Sequence, residues 1–253
     1  MKVSIITVVL NNESCIEACI NSVLEQDYRN IEYIVIDGGS TDGTIDIIRK
    51  HDEYISKWIS GRDDGIYDAM NKGIELASGD LVGFINADDI YNDIGVIGNV
   101  VAVMRDSSVD GCYSDLVYVD REHLFKVVRY WRSRQYEPGL FTKGWVPAHP
   151  TFFVRREILN QYGGFDLRYK LAADFELMAR LLEYHRIRSI YVPKIFVRMR
   201  VGGATNISIA NIIKQNFEIF HACKKNNIKI SLPFFFLQKI IIRLHQFYSR
   251  PVK

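Results

Sequence analysis

The stretch Phe84-Ile85-Asn86-Ala87-Asp88-Asp89 decides the fold, because an apolar run ends there abruptly in two adjacent carboxylates. Such a run is typical of a buried strand, whose polar end opens at the edge of a sheet, where α/β proteins place ligands. Two acids at that edge suggest a bound divalent cation. Mg²⁺ and Mn²⁺ prefer oxygen ligands, and they take one or two protein carboxylates while substrate phosphates complete the shell. By itself an Asp-Asp pair is more often a solvated turn or a helix cap.

Strands and helices alternate up to and through this stretch. We predict strands at residues 3–10, 31–36, 54–60 and 81–86, with helices from residue 14, at 45–50 and at 66–77. This alternation predicts an α/β fold, in which a mostly parallel sheet is covered by helices on both faces. Because parallel strands end at one edge, the acids that follow them are expected to converge on one rim. These acids are Asp37, Asp63 or Asp64, and Asp88 with Asp89.

The loop after the second strand contains residues suited to nucleotide binding. Asp37 ends that strand, where its carboxylate can accept hydrogen bonds from a ribose or a base. The sequence Gly-Gly-Ser-Thr-Asp-Gly-Thr at 38–44 has glycine where the backbone turns tightly or approaches a ligand, and it exposes N–H groups near a helix start. The alternative is a turn and a helix cap with no ligand.

The second half of the chain is less regular. We predict antiparallel strands at 109–119 and 124–130, a long loop at 131–148, and helices at 171–184 and from 206 onward. A loop of that length in a compact domain is often functional. With 253 residues, 48% of them hydrophobic, the chain can bury one substantial core. We therefore predict one domain at residues 1–205, followed by a helical tail at 206–253.

Charge and cysteine content argue against several classes of protein. The net charge of +2 argues against nucleic-acid binding as the main activity. Cys15, Cys19, Cys112 and Cys223 form neither a CxxC pair nor a metal spacing with histidine, so reduced structural thiols are predicted. The N-terminus runs directly into a β-branched strand without the apolar region of a signal peptide, so the protein is expected to start in the cytoplasm.

Two common nucleotide-binding motifs are missing from the sequence. A dinucleotide-binding fold needs G-x-G-x-x-G between the first strand and the first helix, and here that turn is Asn11-Asn12-Glu13-Ser14. The P-loop pattern is absent as well. Nicotinamide chemistry and ATP hydrolysis therefore lose their main support.

Several motifs, taken together, point to a known family. In chain order they are Ser4–Val8 with Asn11, Ile36–Thr44, Gly65–Ile74, Asn86–Asp89, His149–Phe153, Gly164–Asp166, Ala173–Asp174 and Gly202–Thr205. With this combination and order, the chain resembles the family 2 glycosyltransferases, and most of all the branch that assembles bacterial exopolysaccharide, O-antigen and colanic-acid units. The combination is far more specific than any single motif.

The resemblance implies a GT-A fold, a Rossmann-like α/β domain that binds a nucleotide-sugar, here with a C-terminal helical tail. It also implies a nucleotide-sugar donor, a divalent cation (Mn²⁺ or Mg²⁺) and inversion at the anomeric carbon. The implied donor residues are Thr7, Val9 and Asn11 at the base and ribose, Asp37 at the base or ribose, Asp63 at the nucleotide, Lys72, and Asp88 beside the ribose and metal. Asp89 is implied as the direct metal ligand, with Asp88 in the metal shell.

The resemblance also implies that Asp174 is the general base. A carboxylate there can remove the proton of the acceptor hydroxyl as the new bond forms, and a single inverting displacement needs one such base. The alternative is that Asp174 caps the helix predicted after it. Two departures from the family pattern leave the hydrogen-bond partners of these acids open. They are Ala173, where Glu is common, and Gly61-Arg62-Asp63, where Glu-x-Asp is common.

The resemblance implies an acceptor-side or diphosphate-side role for His149, and an acceptor-side role is predicted for Trp145. His149 precedes Pro150 at the start of an apolar strand, and its alternative role is that of a buried structural histidine. Trp145 could stack on a sugar face, although core packing explains aromatic residues more often. Gly202 and Gly203 belong either to a loop that closes over donor and acceptor or to a simple turn.

The tail combines aromatic and basic residues. Its apolar runs at 232–237 and 240–242 are separated by a basic residue, and neither reaches the roughly 18 apolar residues of a membrane-spanning helix. A basic, aromatic-rich helix can instead lie in the interface of an anionic membrane. The alternative is a helix packed on the catalytic domain. We expect peripheral contact with the inner face of the plasma membrane, in keeping with the lipid-linked acceptor that the family implies.

The sequence therefore predicts a metal-dependent, inverting glycosyltransferase. Its expected donor is a nucleotide-sugar, foremost a uridine diphosphate sugar, and its expected acceptor is a polyprenyl-diphosphate-linked saccharide. The alternative enzyme is a sugar nucleotidyltransferase, but the Gly-rich, Arg/Lys-containing loop of that class is absent after the first strand. A third interpretation is a module that binds the nucleotide-sugar without turnover, which would leave Asp174 without a role.

Overall fold

The computed structural model describes residues 1–202 and 209–248 of the chain. The strands in these residues are β1 (Val3–Val9), β2 (Ile31–Asp37), β3 (Lys57–Ser60), β4 (Leu81–Phe84), β5 (Asp89–Tyr91), β6 (Gly111–Val119), β7 (Val127–Trp131), β8 (Phe153–Arg155) and β9 (Ser189–Arg200). The α-helices are α1 (Ile16–Leu24), α2 (Thr44–Lys50), α3 (Ile66–Leu76), α4 (Val96–Met104), α5 (Arg156–Tyr162), α6 (Ala173–Met178), α7 (Ile209–Lys225) and α8 (Leu232–Tyr248). A π-helical segment, Ala179–Tyr184, continues α6.

The strands form one sheet in the order β3-β2-β1-β4-β8-β6-β9-β5, and β7 pairs with β6 outside that path. The first half is parallel, since β1 pairs in parallel with both β2 and β4, and β2 with β3. The register pairs Val9 with Asp37 and Ile6 with Phe84, so the carboxyl ends of these strands lie at one edge. The predicted alternation of strands and helices is thereby confirmed. The third strand is shorter than predicted, because Tyr54 lies in the turn that follows α2 and its N–H binds the carbonyl of His51.

The second half of the sheet is mixed. β8 runs antiparallel to β4 and β6, β7 runs antiparallel to β6 as predicted, and β9 runs parallel to β6 and antiparallel to β5. The long strand β9 and the helix α4 were not among the predictions. Pro193 argues against a strand at that point of the sequence, but the register with β6 jumps from Val192 to Ile195, so Pro193 needs no partner.

Helices cover both faces of the sheet, as predicted. On one face α1 and α4 bury apolar residues such as Ile20 and Val100, and the buried thiols of Cys19 and Cys112 belong to the same core. On the other face α3, α5 and α6 bury residues such as Met70 and Leu177. The four cysteines are free and buried, which agrees with their predicted structural role.

The described tail helices pack against this second face. Ile219 and Cys223 of α7 and Phe235 of α8 are buried in the same hydrophobic cluster as α3 and α6. Glu218 of α7 accepts hydrogen bonds from the N–H groups of Leu171 and Ala172, at 2.7 and 3.0 Å, just before α6. The division of the chain at residue 205 stays a prediction, but the helices after it share their core with the sheet. Within residues 1–202 and 209–248, no helix is both long enough and apolar enough to span a bilayer.

Candidate active site

A cavity of about 790 Å³ opens at the carboxyl edge of β1 and β4. Its walls come from the ends of these strands, from the start of α3, from residues 149–150, and from the start of α6. β6, β7 and β9 line the remaining side together with the last turns of α8. The predicted rim of the sheet and the tail of the chain therefore meet at one cavity.

The two adjacent acids after β4 have different environments. Asp88 is half-buried and lines the cavity, and the guanidinium of Arg200 donates a hydrogen bond to its backbone carbonyl. Asp89 is fully buried at the start of β5, where its backbone pairs with that of Met199 in β9. Its Oδ2 accepts a hydrogen bond from Asn86 at 3.1 Å, whereas its Oδ1 has no partner. Asp88 is therefore the carboxylate that the cavity exposes.

Burial without a cation is unfavourable for both carboxylates. Desolvation raises the pKa of Asp88, and it raises the pKa of Asp89 well above its usual range, with the charge of Asp88 adding to the second shift. In the described parts of the chain, no group of three or more His, Cys, Asp or Glu side chains is arranged to hold a metal. Asp88 lines the cavity, and the Oδ1 of the adjacent Asp89 has no hydrogen-bond partner. These two carboxylates fit a cation that a bound diphosphate would share, because Mg²⁺ and Mn²⁺ need only one or two protein carboxylates in such sites.

The loops after β2 and β3 meet at Asp63, which lines the cavity. Its Oδ1 accepts a hydrogen bond from the N–H of Gly65 at 3.0 Å. A Cβ atom on Gly38 would lie 2.5 Å from the Asp63 Oδ2, so this glycine leaves room for the carboxylate. Asp37 itself is fully buried, and its carboxylate accepts hydrogen bonds from the N–H of Ser40 at 3.0 Å and the hydroxyl of Ser60 at 2.6 Å. Asp37 therefore holds the glycine loop in place and does not line the cavity.

The other residues predicted to bind the nucleotide-sugar also fall into two groups, those that line the cavity and those that bond to the protein itself. Val9 lines the cavity. Thr7 is buried within β1, where its hydroxyl accepts a hydrogen bond from Tyr33 at 3.1 Å. Asn11 has a φ of 48° and accepts a hydrogen bond from the N–H of Thr41 at 2.8 Å, so it braces the glycine loop.

Lys72 also lies away from the cavity lining. Its ammonium group forms an ion pair with Asp68 on the same helix at 2.9 Å and donates to the carbonyl of Arg62 at 3.3 Å. This contact braces the loop that carries Asp63. The ligand contacts of Thr7, Asn11, Asp37 and Lys72 stay predictions, and in this structure these side chains bond to the protein itself.

Asp174 faces the cavity from the first turn of α6. Its Oδ1 accepts a hydrogen bond from the hydroxyl of Tyr67 at 3.1 Å, and its carboxylate is only partly buried. The cap position of α6 is Ala172, which provides no side-chain cap, and the N–H groups there bind Glu218 instead. The alternative role of Asp174 as a helix cap therefore has no hydrogen bond to support it. Burial, together with the charge of Asp174, raises the pKa of Tyr67 well above its usual range.

His149 is buried and lines the cavity, and its ring centroid lies 5.3 Å from that of Phe84 and 5.4 Å from that of Phe165. Its Nε2 has no hydrogen-bond partner. Burial lowers the pKa of His149, so the imidazole is neutral near pH 7. A neutral ring with an unpartnered nitrogen can bind a hydroxyl group of a ligand.

The other acceptor-side predictions have different outcomes. Trp145 is buried and packs against Tyr113 and Phe141, each 5.9 Å away between ring centroids, so it belongs to the core and not to the cavity lining. Gly202 lines the cavity with a φ of 110°, a conformation that favours glycine. Gly203 lies outside the described residues.

Sequence reasoning missed a basic side of the cavity. Arg129 of β7, Arg200 of β9 and Arg243 of α8 all line it, together with Phe247 of α8. It also gave no role to Tyr67, although the motif that contains this residue was recognised. Arg129 lies in β7 and Arg200 in β9, and the burial patterns of these strands show no regular alternation that would have identified them. Nothing in the local sequence indicates that Arg243 reaches the same cavity.

Comparisons with known proteins agree with this geometry. Residues 4–163 match the family described as "Glycosyl transferase family 2". A "PGL/p-HBAD biosynthesis glycosyltransferase" of Mycobacterium tuberculosis is 31% identical over 207 residues, which cover 80% of this chain and 78% of that protein.

Two solved structures share the fold. Residues 1–349 of Staphylococcus aureus TarS, in complex with UDP-GlcNAc, match with a TM-score of 0.66 and 18% identity, covering 96% of this chain and 71% of that one. The match to a longer TarS chain covers 39% of that chain. The mannosyltransferase PcManGT from Pyrobaculum calidifontis, in complex with GDP-Man and Mn²⁺, matches with a TM-score of 0.65 and 22% identity, covering 96% of this chain and 70% of that one. The predicted GT-A architecture, an α/β sheet with C-terminal helices, is confirmed.

Proposed function

The chain belongs to glycosyl transferase family 2, and we propose that it is an inverting, metal-dependent enzyme that moves a sugar from a uridine diphosphate sugar to a hydroxyl group of a lipid-linked acceptor. The observation that carries this proposal is the position of Asp174. Its carboxylate faces the cavity that also exposes Asp88, and it bonds to Tyr67 instead of capping its own helix. A general base and a metal-binding acid in one cavity suit a reaction in which the acceptor hydroxyl displaces the nucleoside diphosphate directly at the anomeric carbon.

On the donor side, Asp88 would hold the divalent cation, and the carboxylate of Asp89 would support it. When bound, the cation offsets the negative charge that develops on the departing diphosphate. Val9 and Asp63 contact the nucleoside, since both line the cavity at the ends of the parallel strands. The complexes of TarS with UDP-GlcNAc and of PcManGT with GDP-Man support a nucleoside diphosphate donor, with uridine preferred and guanosine as the alternative.

On the acceptor side, Asp174 removes the proton of the attacking hydroxyl. The hydroxyl of Tyr67 donates a hydrogen bond to the carboxylate and so orients it for this step. His149 is neutral, and its Nε2 is available to a second hydroxyl of the acceptor sugar. One base suffices because a single displacement with inversion transfers one proton.

We propose that the acceptor is a polyprenyl-diphosphate-linked saccharide of bacterial surface glycan assembly, used at the cytoplasmic face of the plasma membrane. The exposed face of α8 supports a membrane location, since it carries half-exposed apolar residues, among them Leu237, Ile240, Ile241 and Leu244. Such a face can insert at the interface of a bilayer.

A product assay tests the proposal. The protein is incubated with UDP-, GDP- and dTDP-sugars, Mn²⁺ and a polyprenyl-diphosphate-linked saccharide, and the small products are identified. Release of free UDP together with a lengthened saccharide is expected. Pyrophosphate as the product would instead indicate nucleotidyl transfer, and tight donor binding without any product would indicate a binding module. Asp174→Asn is the matched control, because it retains the donor contacts while removing the base.

A further inference from the structure

The residues that lead into α6 are held by side chains of another helix, α7. Glu218 accepts hydrogen bonds at its Oε2 from the N–H groups of Leu171 and Ala172, at 2.7 and 3.0 Å. Gln215, one turn earlier on α7, donates from its Nε2 to the carbonyl of Leu171 at 3.1 Å. Both backbone polar groups of Leu171 are therefore bound to α7, and this fixes the position of the segment.

This segment sets the direction in which the Asp174 side chain leaves α6. Asp174 is the second residue of the helix, and the N–H of Glu176 binds the carbonyl of Ala172 at 2.9 Å to form the first turn. In a helix the backbone fixes the direction of each Cα–Cβ bond. Ala172, at the cap position, has no side chain that can bond to the first turn. The position of Asp174 therefore depends on how α7 holds the residues before it.

A second set of contacts joins α7 to the other side of α6. Glu176 is fully buried, forms an ion pair with Lys225 of α7 at 3.1 Å, and accepts a hydrogen bond from Asn226 at 3.2 Å. Glu176 follows Asp174 by two residues, which is about 200° around the helix. These contacts therefore fix α7 against the domain from the side of α6 that faces away from Asp174, and they provide a control for the contacts of Glu218.

Glu218 also lies near the hydrogen bond between Tyr67 and Asp174. Burial raises the pKa of Tyr67, and the charge of Asp174 and then that of Glu218 raise it further. The carboxylate of Glu218 is not part of the cavity lining. It can therefore affect the reaction in two ways, through the backbone that it holds and through its charge. A glutamine at this position would keep an oxygen that accepts both hydrogen bonds and would remove the charge.

We propose that Glu218 is a positioning residue for the general base: its hydrogen bonds to Leu171 and Ala172 fix the start of α6 so that the carboxylate of Asp174 meets the acceptor hydroxyl. Gln215 contributes a smaller share through Leu171. The inference rests on the proposed role of Asp174 as the base. It makes α7 a working part of the active site, although this helix lies in the segment that the sequence predicts as a tail.

The first test examines the backbone contact without turnover. Hydrogen exchange followed by NMR spectroscopy resolves the amides of Leu171 and Ala172. Glu218→Leu should raise their exchange rates about 10-fold or more, because both amides lose their acceptor, while the amides of β1 keep their wild-type rates. Glu218→Gln should keep the exchange slow. Wild-type exchange rates at both amides in Glu218→Leu would overturn the proposal.

The second test measures sugar transfer to the polyprenyl-diphosphate-linked saccharide, well below the Tm of each variant. Glu218→Leu should lower kcat about 10- to 100-fold, since a displacement of about 1 Å at a reacting group has an effect of this size. The Kd of UDP should stay at the wild-type value. Glu218→Gln should keep kcat within about threefold of wild type, because it retains the hydrogen bonds. An equal loss in both variants would assign the effect to the charge and overturn the positioning role.

Two further variants separate positioning from stability. Lys225→Met removes one ion pair of the buried Glu176, which Arg180 still pairs with at 3.1 Å, so it should lower the Tm and leave kcat near the wild-type value. Gln215→Leu removes only the bond to the carbonyl of Leu171 and should lower kcat about three- to tenfold. It replaces Glu218→Leu if that variant does not fold, and a wild-type kcat in Gln215→Leu would then overturn the proposal.

A double variant identifies the route from Glu218 to the reaction. If Glu218 acts through Asp174, Glu218→Leu should have little further effect on kcat once Asp174→Asn is present. A full additional loss would overturn the proposal. Asp174→Asn with a wild-type kcat would refute the proposed base itself. A wild-type kcat in Glu218→Leu beside a slow Asp174→Asn would refute only the positioning role.

Discussion

The donor edge of the cavity and its basic wall are built in different ways. The donor edge comes from residues that follow consecutive parallel strands, such as Asp63 and Asp88, within residues 1–88 of the chain. The basic wall joins Arg129, Arg200 and Arg243, which lie on three elements far apart in sequence. Local motifs can specify an edge of this kind, whereas the wall exists only after the chain has folded. The two sides are therefore expected to respond differently to mutation.

The largest expected effect concerns the proton acceptor of the reaction. Asp174→Asn should lower kcat by about 10²–10⁴-fold, the usual contribution of a general base. The binding of UDP and Mn²⁺ should persist, because the amide retains the shape of the side chain. Steady-state kinetics with calorimetry of UDP binding measure both properties. A variant that turns over at the wild-type rate would show that Asp174 has only a structural role.

The second prediction compares the inner and outer faces of α8. Phe235→Ala should destabilise the protein by about 3–5 kcal/mol, because the ring is almost fully buried in the core. Leu237→Ala, at a side chain that is 55% exposed, should change the free energy of unfolding by less than about 0.5 kcal/mol. Urea unfolding followed by circular dichroism measures both. Similar small losses in the two variants would mean that α8 is not anchored to the domain as described.

The third prediction separates the two adjacent acids. Asp88→Asn should abolish the Mn²⁺ dependence of UDP binding and lower kcat/KM by about 10²–10³-fold, because the cation that would offset the negative charge of the diphosphate is no longer held. Asp89→Asn should keep most of that dependence, since its buried side chain does not line the cavity. UDP titrations with and without Mn²⁺ compare the two variants. The opposite ranking would restore the direct metal-ligand role that the family resemblance implies for Asp89.

A smaller effect is expected for Tyr67→Phe. Removing the hydroxyl deletes the 3.1 Å hydrogen bond to Asp174 and leaves the ring packed on Phe165. We expect kcat to fall about 10-fold, which corresponds to the loss of one hydrogen bond, with little change in the Tm. Differential scanning fluorimetry alongside the kinetics separates this outcome from a packing defect. A large fall in the Tm would indicate that the hydroxyl serves the fold.

The smallest expected effect concerns the membrane. The double substitution Ile240→Asp and Leu244→Asp places charge on the exposed apolar face of α8 and should weaken co-sedimentation with anionic vesicles about fivefold or more, without lowering the Tm. A matched change on the edge strand β3, Ile59→Asp at a residue that is also partly exposed, should leave vesicle binding unaltered. Wild-type protein that stays in the supernatant would contradict the membrane proposal.

The residues of the candidate site show which features sequence patterns can predict and which they cannot. The positions of Asp63, Asp88, Asp174 and His149 were predicted, and the structure places all four at the cavity. The patterns did not show that Asp37 turns its carboxylate into its own loop, where it accepts four hydrogen bonds from Gly39, Ser40 and Ser60. Secondary-structure propensity can predict that an acid lies at the end of a strand. The direction of its side chain, however, depends on which hydrogen-bond donors lie close to it in the folded chain.

The adjacent acids Asp88 and Asp89 are a second example in which the sequence does not predict the direction of a side chain. Asp88 lies in the turn between β4 and β5, where the N–H of Asp89 binds the carbonyl of Asn86 at 3.0 Å, whereas Asp89 is the first residue of β5 and is buried. The choice between them follows from the pairing of β5 with β9, which matches Asp89 to Met199. This pairing joins segments far apart in sequence, and a short motif contains no information about it.

The sequence by itself determined the alternation of strands and helices, the rim of acids at the ends of the parallel strands, and the resemblance to a glycosyltransferase family. These features depend on apolar periodicity and on motifs a few residues long, which the local sequence encodes. Only the tertiary structure decided which of the acids face the cavity and that α8 closes it with Arg243 and Phe247. The physical reason is that burial, side-chain direction and the meeting of like charges depend on packing between distant segments, and the free energy of that packing belongs to the whole fold.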